Sequence, residues 1–249
     1  MGRLTDGIKH LLIINILFFV ATALYGDQMY QWFSLWFPKN ENFGLWQVVS
    51  HMFMHGGFMH IAFNMYALWA FGTPLERMWG RNKFLFFYFS AGLGAALIHT
   101  GVNYYYFNEG MDAILTSGVS KSQVIEVISQ GKYSPDWYNL ASKSTIDNFL
   151  SSYNTPAVGA SGAIYGVLVA FGMSFPNSEL FLIFLPVPIK AKFFIPVLIG
   201  LDLFSGVTGV SIFGQGIAHF AHIGGALFGF IMMWYWKQNQ FDNNRWDRP

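Results

Sequence analysis

Six stretches of the chain are apolar for long enough to cross a bilayer, near 10–26, 57–75, 84–106, 157–175, 191–208 and 217–236. A spanning helix needs roughly 17–25 such residues. Between the third and fourth stretches lies one long polar insertion, 107–156. There "SKSQVIEVIS" has helical periodicity and "KYSPDWYN" breaks it, so short helices outside the membrane are expected. The stretch 178–190 is apolar but short and broken by Pro186 and Pro188, and is expected to lie along the membrane surface. From Lys237 the chain turns polar and reads as a loosely ordered tail, 237–249. No internal repeat is evident, which argues against a transporter built on inverted repeats. The first apolar run, "LLIINILFFVATALYG", has no small-x-small cleavage site and reads as a retained span.

Composition turns this pattern into a class. The chain is 53% hydrophobic and 11% charged, where soluble domains carry about 25% charged residues. With 27 Phe and 9 Trp, the apolar surplus is too large to hide from water, and an all-α, polytopic membrane protein follows. A net charge of +1 gives no bulk affinity for nucleic acid. The absence of cysteine excludes disulfides and thiolate metal sites.

Lys and Arg set the sidedness. One face receives Arg3, Lys9, Arg77, Arg81, Lys83, Lys190, Lys192, Lys237, Arg245 and Arg248. The other receives only Lys39, Lys121, Lys132 and Lys143, spread over longer loops. Both termini are therefore expected in the cytoplasm, and spans two, four and six run from outside to inside. In this frame three sets of polar residues fall at one depth: His60 and Asn64 early in span two, Ser161 early in span four, His222 early in span six. At 1.5 Å per residue all lie within roughly 5–10 Å of the outer ends.

Small residues share the faces of these groups. Gly225 and Gly229 follow His222 at i+3 and i+7, while Gly162 and Gly166 beside Ser161 form a small-xxx-small pair. Such surfaces let two helices approach closely, as a serine must to reach an imidazole.

At these residues the sequence resembles the rhomboid family of intramembrane serine proteases. Gly159-Ala160-Ser161-Gly162 matches its G-x-S-G motif, and Ala221, His222, Gly225 and Gly229 match A-H-x-x-G-x-x-x-G. His55, His60 and Asn64 match the second-helix pattern H-x-x-x-x-H-x-x-x-N. The resemblance covers nearly the whole chain and implies a six-helix membrane domain over 1–236. The insertion 107–156 is the departure, being larger than the family's basic form, and bears on substrate access rather than chemistry.

The expected chemistry follows. Ser161 would be the nucleophile and His222 its general base. No acidic residue is expected near the outer end of span six, so the pair reads as a dyad, with Tyr165, one turn below Ser161, stacking on the imidazole to hold it. The resemblance implies that His60, Asn64 and the Ser161 backbone N–H receive the oxyanion. His51 and His55, at i and i+4, lack a third ligand and read as packing rather than zinc ligands; His99 and His219 read the same way. Asp202, taken as mid-span in the fifth helix, is expected to bond a neighbour or be protonated. Glu76 and Arg77, with Gly80, read as a structural helix end. The glycine-rich segment 205–216 reads as a lid over the site. No cofactor and no metal are expected, and oligomeric state is not readable. The partners implied are membrane lipid and single-span membrane protein substrates cut near the outer face, with small residues at the cut and a weakened helix. The short N-terminus points to a bacterial inner membrane. An inactive relative that binds helices, and a small transporter or channel, are the competing readings; the latter needs ionisable groups through the whole bilayer, whereas here they gather at one end.

Overall fold

The computed structural model describes residues 4–182, 185–210 and 218–243. The first apolar run forms α1 (Asp6–Tyr25). Its N-terminus is not left in solvent. The Gly7 and Ile8 amides donate to the Glu76 carboxylate at 2.7 and 2.8 Å, and the Thr5 hydroxyl donates to it as well. Helix-start amides have no partner in their own helix, and a carboxylate there satisfies them and complements the dipole. Glu76 therefore acts structurally on a neighbouring helix rather than at its own end.

A short helix α2 (Asp27–Phe33) and α3 (Gln47–Ser50), followed by a 3-10 turn at His51–Phe53, make the connection between the first two apolar runs. The buried Gln47 amide donates to the Gln31, Trp32 and Asn42 carbonyls and pins this loop. The second apolar run is helical throughout, as α4 (Phe58–Ala67), a π turn (Leu68–Gly72) and α5 (Thr73–Trp79).

Helix α6 (Arg81–Leu115) has 35 residues and overruns the expected end of span three at 106. At 1.5 Å per residue it is about 52 Å long, against a hydrocarbon core of about 30 Å. The overhang carries the insertion: α7 (Lys121–Ser129), a 3-10 turn (Pro135–Asn139) and α8 (Lys143–Asn154). Phe107 and Ile114 of α6 join Val124, Ile128, Ile146 and Phe149 in a small core of fully buried side chains. The short helices expected there are present, packed on the overhang.

Helix α9 (Ser161–Ser174) is buried on every side from Gly162 to Phe171, the signature of a helix enclosed by others. It is followed by an antiparallel pair, β1 (Glu179–Leu182) and β2 (Leu185–Lys190), with Glu179 opposite Lys190 and Leu180 opposite Ile189. This qualifies one expectation. The chain is mostly helical, but Glu179–Leu182 and Leu185–Lys190 pair as strands, since extended backbone tolerates Pro186 and Pro188. Helices α10 (Ala191–Thr208) and α11 (His219–Asn243) complete the described fold. Helix α11 continues beyond 236, so the expected tail is helical as far as Asn243, and Lys237 Nζ donates to the Met173 carbonyl at 2.8 Å. Most of the expected lid, 211–216, lies outside the described residues.

Among the described residues, α1, α6 and α10 are long and apolar enough to cross a membrane, and α9 is a shorter apolar helix of 14 residues. Outer faces carry exposed apolar side chains such as Leu17, Leu24, Phe58, Val197 and Val207, as expected where the solvent is lipid. The chain is an integral membrane protein.

Candidate active site

The approach to α9 is held by backbone bonds. Leu35 and Ala157 exchange N–H···O bonds of 2.9 Å each way, and the Gly159 amide donates to the His51 carbonyl at 2.9 Å. Gly159 takes φ +124, a conformation that side chains disfavour, and the chain then enters α9 with Ser161 as its first residue. Ser161 thus sits at a helix N-terminus, where unpaired amides and the dipole favour negative charge.

His222 stands in the first turn of α11. Its Nε2 lies 2.8 Å from Ser161 Oγ, across 61 residues of sequence. Glycine makes this possible. A Cβ placed on Gly225 would fall on the Gly162 carbonyl oxygen, and one on Gly229 would stand 2.6 Å from Gly166 Cα. On the other flank, a Cβ on Gly162 would stand 2.6 Å from Ala95 Cβ of α6. Helix α9 is therefore clamped between α6 and α11 with backbones nearly touching.

The Tyr165 ring stacks on the His222 ring at 4.2 Å between centroids and 12° between planes. Its hydroxyl donates to Asp202 Oδ2. The other carboxylate oxygen, Asp202 Oδ1, lies 3.3 Å from His222 Nδ1 and 2.5 Å from His219 Nδ1. Asp202 is 1% exposed. This overturns the expectation that no acidic residue stands beside the outer end of the sixth apolar run. Asp202 lies roughly 9 Å from the C-terminal end of α10, the end that meets the first turn of α11. Asp202 bonds its neighbours, as expected from the sequence, and His219, expected to serve packing, is one of them. The missed signal was that the late residues of one helix fall beside the early residues of the next when the chain reverses between them.

His60 lies on α4, facing the serine loop. Its Nδ1 accepts from the Gly56 amide at 3.2 Å, so its proton sits on Nε2. A Cβ placed on Gly159 would stand 2.8 Å from His60 Nε2 and 3.5 Å from Ser161 Oγ, so an N–H donor and the serine oxygen converge on one spot. Asn64 is buried, but its amide donates to the His60 carbonyl of its own helix at 3.0 Å. His60 is thus brought to the serine, while the Asn64 amide is turned along α4. Beside the serine, a small cavity is lined by His51, Met52, His99, Gly159 and Ala221. His51 Nδ1 pairs with the Gln47 carbonyl at 2.7 Å, and His99 Nε2 with the Asn103 amide at 3.1 Å.

A hydroxyl bonded to an imidazole, with an N–H donor and a helix N-terminus facing the same point, can carry out acyl transfer. Comparison with known proteins shows the chain's relatives. A Rhomboid domain model matches residues 42–124 and 139–239. "Rhomboid protein 1, mitochondrial" of Saccharomyces cerevisiae is 25% identical over 188 residues, covering 76% of this chain and 41% of that protein. "Presenilin-associated rhomboid-like protein, mitochondrial" of Rattus norvegicus is 31% identical over 184 residues, 74% of this chain and 35% of that protein. "Rhomboid protease GluP" of Bacillus subtilis is 40% identical over 52 residues, 21% of this chain and 10% of that protein. The chain thus spans well under half the length of these relatives. With the match extending over most of its residues and through every element of the site, the chain belongs to the rhomboid family.

Proposed function

We propose that the chain is an intramembrane serine endopeptidase that cuts transmembrane segments near the outer face of a six-span bundle with both termini cytoplasmic. The observation that carries this reading is the 2.8 Å approach of Ser161 Oγ to His222 Nε2 between glycine-packed helices. In acylation the Ser161 O–H proton passes to His222 Nε2 as the oxygen attacks the scissile carbonyl. Negative charge develops on the carbonyl oxygen, next to the N-terminus of α9 and the His60 Nε2–H. Collapse of the intermediate breaks the C–N bond, and His222 returns the proton to the leaving amine. Water, for which the cavity beside Ser161 offers room, then hydrolyses the ester with His222 again as base. Asn64 joins the oxyanion donors in this reading only by turning its amide away from the His60 carbonyl when substrate binds.

Small residues at the cut and a weakened helix suit this chemistry, because a helical peptide bond is shielded by its own turn. The substrates proposed are single-span membrane proteins. A bacterial inner membrane is the location proposed, while the longer matches are to proteins named mitochondrial; fractionation beside a mitochondrial expression control tests it directly. The deciding experiment uses the full chain in proteoliposomes with a fluorophosphonate probe and a single-span reporter. Wild type is expected to take the label and cut, while Ser161→Ala does neither and His222→Ala does not cut. Labelling that persists in Ser161→Ala overturns the assignment.

A further inference from the structure

We infer that Asp202 is a positioning residue for the general base, holding the His222 proton on Nδ1 so that Nε2 is free to accept from Ser161. The inference rests on the peptidase reading above and adds a third group to its two. A neutral imidazole has one donor nitrogen and one acceptor nitrogen, and a carboxylate only accepts. With Asp202 Oδ1 at 3.3 Å on the Nδ1 side and Ser161 Oγ at 2.8 Å on the Nε2 side, just one tautomer satisfies both contacts. It is the one that can take a proton from serine. The opposite tautomer would place N–H against the hydroxyl and leave the carboxylate without this donor.

The carboxylate is itself held. Tyr165, whose ring covers the imidazole face, donates its hydroxyl to Oδ2, and His219 donates to Oδ1 at 2.5 Å. Three side chains from α9 and α11 therefore converge on one buried acid of α10. A charge at this depth is costly to insert, and one serving only helix packing would need no geometry directed at His222. His219 holds Oδ1 more closely than His222 does, as suits an anchor. The longer contact to His222 is of the kind that tightens once substrate is bound. During acylation the Ser161 O–H bond breaks and the His222 Nε2–H bond forms. The Nδ1–H bond persists, and the negative carboxylate faces the transient imidazolium. Asp202 neither gains nor loses a proton.

The test compares wild type, Asp202→Asn and Asp202→Glu as full chains in proteoliposomes, on a reporter that wild type cuts. Asp202→Asn, isosteric but able to donate to Nδ1, is expected to lower kcat by on the order of 10²–10⁴-fold, as loss of the equivalent acid does in a triad. KM is expected to stay within about twofold, since uniform binding is untouched. Asp202→Glu, which keeps the acceptor, is expected to recover part of kcat. A kcat within threefold of wild type in Asp202→Asn overturns the inference while leaving the peptidase reading standing. A wild type that fails to cut or label strikes that reading instead. Should Asp202→Asn not fold, 15N spectroscopy of histidine-labelled wild type decides. The resonances lost in His222→Gln are expected to report Nδ1–H with a free Nε2, and the reverse tautomer overturns the inference.

Discussion

Gly225→Ala offers the sharpest check on how the site is assembled. The added methyl would overlap the Gly162 carbonyl oxygen. Both glycines are backbone against backbone, so no flexible side chain can move aside. Non-bonded carbons prefer separations of about 3.5–4.0 Å, so α9 and α11 must part by about 1 Å or more. Gly225 stands one turn below His222, and Gly162 directly follows Ser161, so this displacement falls on the reacting pair. A Ser161–His222 contact of 2.8 Å would open to about 3.8 Å, past the range of an effective hydrogen bond. Overpacking of this kind costs about 1–3 kcal/mol of stability, and misplacement by about 1 Å costs on the order of 10² in rate. The assay is reporter cleavage in proteoliposomes, with thermal unfolding run alongside to establish that the variant is folded. Gly200→Ala is the matched control, because a Cβ there meets nothing within 4 Å, and its rate should equal wild type. A folded Gly225→Ala that cuts within threefold of wild type would refute the claim that glycine contact sets the distance between the two groups.

Three further outcomes are expected. His60→Ala should lower kcat with little change in KM, by the roughly 2.7–4 kcal/mol typical of a lost oxyanion donor, and steady-state kinetics will separate the two constants. Glu76→Ala should leave the Gly7 and Ile8 amides without partners, at about 1–3 kcal/mol for each buried group, read as a lower midpoint of thermal unfolding. Outside the membrane, the Lys143 ammonium chiefly holds the Asp147 carboxyl below its usual range, and the hydrogen bond to Asp147 pushes the Tyr138 phenol up to about 12. A depressed carboxyl stabilises above its unfolded value of about 3.9 and loses that contribution as pH falls through the folded value. Asp147→Asn should therefore reduce hydrogen-exchange protection of α8 slightly at pH 7 and not at all near pH 2; the pair is exposed, so a large effect would contradict this account.

Sequence alone determined the solvent, the positions of the apolar helices and the pairing of small residues with Ser161 and His222. Those properties are local: hydropathy is summed over a window, and a glycine at i+3 shares a face with residue i whatever the neighbours are. It also put His60 early in its helix, where α4 carries it, because position along a helix follows from counting. Tertiary structure alone decided which side chains meet across helices. The Asp202 carboxylate reaches His222 only because α10 packs beside α11, and nothing in either segment states that adjacency. The Asn64 amide turned along α4, where its own carbonyl ladder offered an acceptor that spacing could not weigh against the site. Helix α6 ran past its apolar stretch because Phe107, Met111 and Ile114 found partners in the insertion, and the polar end of α11 stayed helical where Lys237 reached the Met173 carbonyl. In each case a long-range contact outweighed the local pattern, since a residue's partner across the bundle contributes as much free energy as its neighbours in sequence.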